Sequence, residues 1–91
     1  MRIGREEGQD IRLDDRRASR QHAQILYIDG SYFLQDLNST NGTHMNSERV
    51  GWHALTLHDR IRIGRCVLEF QEGVAGEDTD QSTQTKLVAI S

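Results

Sequence analysis

This chain is poor in cysteine, in lysine and in long apolar runs, and each shortage excludes something. Cys66 is the sole cysteine, so no intrachain disulfide can form. Its place in an apolar, strand-like run predicts a buried core thiol. No stretch approaches the roughly 20 apolar residues that a membrane helix requires. No apolar segment of the signal-peptide kind follows Met1–Arg5. A cytoplasmic protein with no membrane partner is expected. Enzyme signatures are missing too. Ser19 and His22 hint at a hydrolase dyad, but no Gly-x-Ser-x-Gly elbow surrounds the serine, and a chain of 91 residues leaves little room for a substrate cleft. His22, His44, His53, His58 and Cys66 match no common metal-ligand spacing, and no Walker-type loop is present. Neither catalysis, metal nor cofactor is expected.

What remains is a single domain with a modest core. The net charge of −3 argues against a nucleic-acid partner. Its distribution says more. Lys86 is the only lysine, and Arg2, Arg5, Arg12, Arg16, Arg17 and Arg20 crowd the first 20 positions. A guanidinium offers a planar fork of donors that matches carboxylate and phosphate oxygens.

Short β-prone runs alternate with turn signals, which predicts an all-β sandwich or barrel. Arg2-Ile3 ends in Gly4, and Asp10–Leu13 follows as a short strand. His22–Ile28 is the strongest candidate, with Ala23, Ile25 and Tyr27 on one face. Asp29-Gly30 is a pair suited to a two-residue hairpin turn, and Tyr32–Leu37 returns as its partner. Beyond the loop Asn38–Gly42, Thr43–Met45 and Glu48–Val50 pair across Asn46-Ser47. Arg60–Ile63 points Ile61 and Ile63 inward. Gly64-Arg65 turns the chain, and Cys66–Phe70 is the last central strand. The expected division is a domain over 1–70, a flexible polar linker over 71–85, and a short apolar run over 86–91.

Three pieces in fixed order carry the functional information. They are Gly4-Arg5, then Ser19-Arg20-Gln21-His22, then Asn38-Ser39-Thr40-Asn41-Gly42-Thr43, and a strand ending in Ile63-Gly64 follows them. In this order they resemble the forkhead-associated (FHA) family over about Ile3 to Phe70. The resemblance implies a β-sandwich of two twisted sheets with a binding site on loops at one end, and a module that binds phosphothreonine peptides in signalling.

It also implies residue roles. Arg5 would give charge-assisted donors to the phosphate, Ser19 a hydroxyl, Arg20 a second positive group, and Thr40 a hydroxyl or backbone donor. Asn41 would bond the peptide backbone, since its amide donates and accepts at once. His22 would brace the two loops, while Gly4 and Gly42 would serve backbone geometry. The residue three positions after the phosphothreonine would be read by loops around Asp14–Ala18 and His44–Glu48.

Two departures from the family pattern stand out. The family usually has two strands ahead of Gly-Arg, whereas here Gly4-Arg5 comes just after Met1; without such strands the Cys66–Phe70 strand would have an open edge. The run over 86–91 could pair with that edge in the same chain or in a second copy, giving a strand-swapped homodimer and a phosphate-independent assembly module. Tail threonines Thr79, Thr83 and Thr85, once phosphorylated, could dock on the same site.

Overall fold

In the computed structural model the described residues are 1–72 and 85–90. They form ten strands: β1 (Arg2–Gly4), β2 (Ile11–Arg12), β3 (Ala23–Ile28), β4 (Ser31–Asp36), β5 (Thr43–Met45), β6 (Glu48–Val50), β7 (Trp52–Ala54), β8 (Arg60–Ile63), β9 (Cys66–Glu72) and β10 (Thr85–Ala89). Two five-stranded sheets result, one in the order β2-β1-β3-β4-β7 and the other β10-β9-β8-β5-β6. Only β1 and β2 run parallel; every other neighbouring pair is antiparallel.

The alternation along each strand decides what lies inside. Ile61 and Ile63 face in and are fully buried, while Arg60 and Arg62 face out. Ile3, Ala23, Ile25, Leu34, Met45, Leu68 and Phe70 join them from the other strands in one apolar core. Each large aliphatic side chain buried in this way contributes about 1.5–3 kcal/mol. The β3–β4 hairpin closes over Asp29 (φ 53°) and Gly30 (φ 84°), and the β5–β6 hairpin over Asn46 (φ 53°) and Ser47 (φ 71°). Positive φ at both central residues matches the right-handed twist of the flanking strands.

Several details depart from the sequence-based expectations. Tyr27 shares the parity of Ala23 and Ile25 but is 65% exposed, because it lies past the core at the hairpin end, against Tyr32 at a ring distance of 4.7 Å. Cys66 is half-buried rather than buried, at the mouth of the β8–β9 turn. Burial still pushes its thiol pKa up, with Asp15 and Asp14 acting the same way. Strand β7 escaped the reading because Trp52-His53-Ala54 is too short to show a period, yet it pairs with Phe33–Gln35.

At the C-terminal end, β9 continues through Glu72 and β10 begins at Thr85, so both overlap the segment read as linker. Strand β10 lies antiparallel to β9, from Thr85 opposite Glu72 to Ala89 opposite Leu68, and Leu87 packs on the core. Residues 73–84 and 91, with Thr79 and Thr83 among them, lie outside the described residues.

Candidate functional site

Gly4 ends β1, Ala23 begins β3, Asp36 ends β4 and Thr43 begins β5. The antiparallel pairings bring these termini to one end of the sandwich, so the β2–β3 and β4–β5 loops meet there. Three contacts fasten them. The Ser19 Oγ accepts from the Thr40 backbone N–H at 3.1 Å. The Asn41 Nδ2 donates to the Arg17 carbonyl at 3.0 Å. The His22 ring spans both loops: its Nδ1 accepts from the Ser19 N–H at 2.9 Å, and its Nε2 donates to the Gly42 carbonyl at 2.9 Å.

Those two bonds require the neutral imidazole protonated on Nε2, since Nδ1 must keep its lone pair. His22 is fully buried, and burial lowers its pKa, outweighing the Gly42 carbonyl and the Asp36 carboxylate, which favour the charged form.

The Gly4-Arg5 piece joins the same end. Arg5 gives its backbone N–H to the Ser19 carbonyl at 3.0 Å and its Nε–H to the Ala18 carbonyl at 3.0 Å. A guanidinium carries five N–H donors; one is spent on holding this exposed side chain beside Ser19. Gly4 is glycine because backbone crosses it: a Cβ there would lie 2.1 Å from the Arg20 carbonyl oxygen. Gly42 combines a φ of 91° with a Cβ position 2.7 Å from Arg49 Nε.

All five residues expected to touch a ligand therefore sit at this end of the sandwich, with Arg5, Arg20, Thr40 and Asn41 exposed and Ser19 half-buried. The geometry sorts their capacities. Ser19 accepts with its oxygen and keeps its proton to donate. Thr40 has committed its backbone N–H to Ser19, which leaves the hydroxyl. Asn41 retains one amide N–H and its oxygen. Arg20 lends its carbonyl to the frame, accepting from the Glu6 N–H at 3.1 Å.

The sequence reading missed the support under the β4–β5 loop. Asp36 Oδ1 accepts from the Ser39 hydroxyl at 2.6 Å and the Thr43 hydroxyl at 2.8 Å, and Oδ2 accepts from the Ser39 N–H at 2.9 Å. Ser39 Oγ in turn accepts from the Gly42 N–H at 3.0 Å, and Arg49 reaches the Ser39 carbonyl. Burial works against the Asp36 carboxylate, but the Ser39 and Thr43 hydrogen bonds outweigh it and its pKa is lowered. An acid three residues ahead of a serine in a polar turn was the available signal, since such side chains cap local backbone N–H groups.

Known proteins share this fold. The family model described as FHA domain matches residues 1–64. The chain is 41% identical over 70 residues to the oxoglutarate dehydrogenase inhibitor of Corynebacterium diphtheriae, covering 77% of this chain and 49% of that one. It is 44% identical over 69 residues to the transcriptional regulatory protein EmbR of Mycobacterium tuberculosis, covering 76% of this chain and 18% of EmbR. It thus spans half or less of the length of these relatives. Among solved structures, one from a study of phosphothreonine-dependent FHA domain interactions superposes with a TM-score of 0.74 at 35% identity, covering 81% of this chain and 77% of that one. Mycobacterium tuberculosis EmbR in complex with a low-affinity phosphopeptide superposes with a TM-score of 0.73 at 41% identity, over 77% of this chain and 19% of EmbR. With its two five-stranded sheets and its three ordered loop motifs, this chain belongs to the forkhead-associated domain family.

Proposed function

We propose that the protein is a phosphothreonine-peptide-binding interaction module in phosphorylation-dependent signalling. One observation carries the reading: Arg5, Ser19 and Thr40, distant in sequence, are tied together at one end of the sandwich with unspent donors. A phosphothreonine carries about −1.5 to −2 charges and three acceptor oxygens. Arg5 and Arg20 supply charge, Ser19 and Thr40 supply hydroxyls, and Asn41 takes the backbone of the bound peptide. Charge-assisted bonds contribute about 1.5–3 kcal/mol each, which suits a reversible contact. The similar FHA structures, one from work on phosphothreonine-dependent interactions and one in complex with a phosphopeptide, point the same way. The single cysteine and the regulators among the relatives favour a cytoplasmic setting.

The test is a phosphothreonine peptide library screened against wild type and Arg5→Ala. Loss of about tenfold or more in affinity is expected in the variant, and equal binding by both would end the phosphate reading. Phosphoserine peptides, which lack the threonine methyl, should bind more weakly.

A second reading rests on β10. Its ladder with β9 can equally form between two copies, which would make a strand-swapped homodimer and a phosphate-independent assembly module. Light scattering across a range of protein concentrations distinguishes the two, since a monomer throughout removes the swapped form.

A further inference from the structure

The outer faces of the two sheets differ in charge. On the second sheet the outward positions include Arg49, His44, Arg62, Arg60 and Glu69, neighbours across β6, β5, β8 and β9, as suits a face in contact with water. On the first sheet the outward positions of β3, β4 and β7 carry Leu26, Ile28, Phe33, Trp52 and Ala54. None of the outward positions on these three strands is charged, in a chain with 27% charged residues. Trp52 is 51% and Ile28 43% exposed. The Trp52 ring lies on Phe33, with centroids 5.1 Å apart and planes at 22° to each other. An antiparallel sheet ordinarily keeps polar residues on its solvated face, so a contiguous apolar set there marks a contact.

The face is also prepared to lose water. Its two amides already satisfy each other, Gln24 Nε2 donating to Gln35 Oε1 at 2.7 Å, which lowers the cost of covering them. The strand register gives the apolar residues a symmetric layout. Leu26, Phe33 and Ala54 form one row across β3, β4 and β7. Trp52 lies one outward position to one side of that row, on β7 opposite Gln35, and Ile28 one outward position to the other side, on β3 opposite Ser31. Trp52 and Ile28 are therefore diagonal corners about Phe33. A two-fold axis lying between two copies, passing Phe33 and crossing that diagonal at a right angle, sets the Trp52 of each copy on the Ile28 of the other. Self-complementarity of this kind is what an isologous contact requires. Charge favours the same occupant. The net charge of −3 makes copies of the chain repel, and a second copy approaches at least cost where neither presents a charge.

We propose that the outer face of β3, β4 and β7 docks on the same face of a second copy, forming a two-fold dimer with Phe33 at its centre. Three strands about 4.8 Å apart and about 20 Å long present about 300 Å² in projection, below the roughly 800 Å² per partner of a standard interface. The contact is therefore weak and concentration-dependent. It is distinct from an exchange of β10, which belongs to the other sheet. The Ser19–His22 and Ser39–Thr43 loops lie beyond the strand ends, so the dimer leaves them open on both copies.

The experiment is sedimentation equilibrium of the full chain over a wide concentration range, with circular dichroism confirming that each variant is folded. Wild type is expected to dimerise with a dissociation constant on the order of 10–1,000 μM. Trp52→Lys and Ile28→Glu should each weaken the dimer at least about tenfold. The double variant Trp52→Lys/Ile28→Glu sets opposite charges against each other across the axis and should recover most of that loss. Val88→Pro, which breaks the β9–β10 ladder, should dimerise like wild type. A wild type that stays monomeric throughout overturns the proposal, as does a dimer that tolerates both single variants. A double variant no stronger than the single ones overturns the two-fold arrangement. Dimerisation lost in Val88→Pro but kept in Trp52→Lys assigns the contact to β10 exchange and overturns the face.

Discussion

The Ser19–His22 and Ser39–Thr43 loops and the β10 edge are both held by hydrogen bonds, but the donors and acceptors differ in kind. At the loops, side chains do the fastening: His22 spans Ser19 and Gly42, and Asp36 collects Ser39 and Thr43. At the edge, backbone pairs with backbone from Thr85 to Ala89, and Leu87 adds one apolar anchor. The first arrangement depends on side-chain identity, because each polar group has partners that nothing else can satisfy. The second depends mainly on the chain being able to extend and donate.

The largest effect should come from breaking the loop network at its centre. His22→Ala removes a buried ring and leaves the Ser19 N–H and Gly42 carbonyl without their partner. A loss of about 2–4 kcal/mol is expected, read from urea unfolding, together with weaker phosphopeptide binding. A loss below about 1 kcal/mol would show that the loops hold without it.

Next in size is the edge. Ile90 donates to the Val67 carbonyl at 2.8 Å, so by the two-residue alternation of an antiparallel ladder Val88 donates to Glu69. Val88→Pro deletes that donor and should cost about 1–3 kcal/mol, with rapid amide exchange at Leu87–Ala89 and phosphopeptide affinity within about twofold of wild type. A large drop in affinity would mean that edge and loops are coupled. Leu87→Val, which keeps the ladder, should cost about 1 kcal/mol.

Acid should act on the loops first. The folded-state pKa of His22 is lowered, so the unfolded chain takes up its proton more readily. Stability is then full above the ordinary histidine value of about 6.5 and falls as pH drops below it. The lowered Asp36 pKa adds a second loss, which begins below its ordinary value near 3.8 and completes as pH falls through the folded-state value. Urea midpoints measured from about pH 7.5 to 5 should decline in wild type. A flat profile would argue that His22 is not held neutral.

The smallest effect lies on the outer face of the first sheet. Trp52 is 51% exposed and stacks on Phe33 at 5.1 Å. Trp52→Ser should cost no more than about 1 kcal/mol and leave phosphopeptide binding unchanged; a binding defect would show that this face and the loops are coupled.

Strands whose alternation feeds the core were legible in the sequence. Ile61 and Ile63 declared β8, and Asp29-Gly30 declared the β3–β4 hairpin. β7 was illegible because three residues carry no period. Tyr27 misled because parity gives the face of a sheet but not how far the core extends along it. The site was legible where a motif brought residue types together, as in Ser19–His22. Asp36 and Arg49 were not, since their role is to support other residues of the loop.

Residue order alone determined the all-β class, the hairpin turns and which residue types stand in the Ser19–His22 and Asn38–Thr43 loops, because side-chain alternation and positive-φ turn residues act over a few positions. Folding decided the rest. That Leu26, Phe33 and Trp52 share an outer face, that His22 joins two loops, and that β10 closes against β9 all follow from contacts between segments far apart in the chain. Such contacts are selected by burial and hydrogen-bond satisfaction of the whole, which no local pattern encodes.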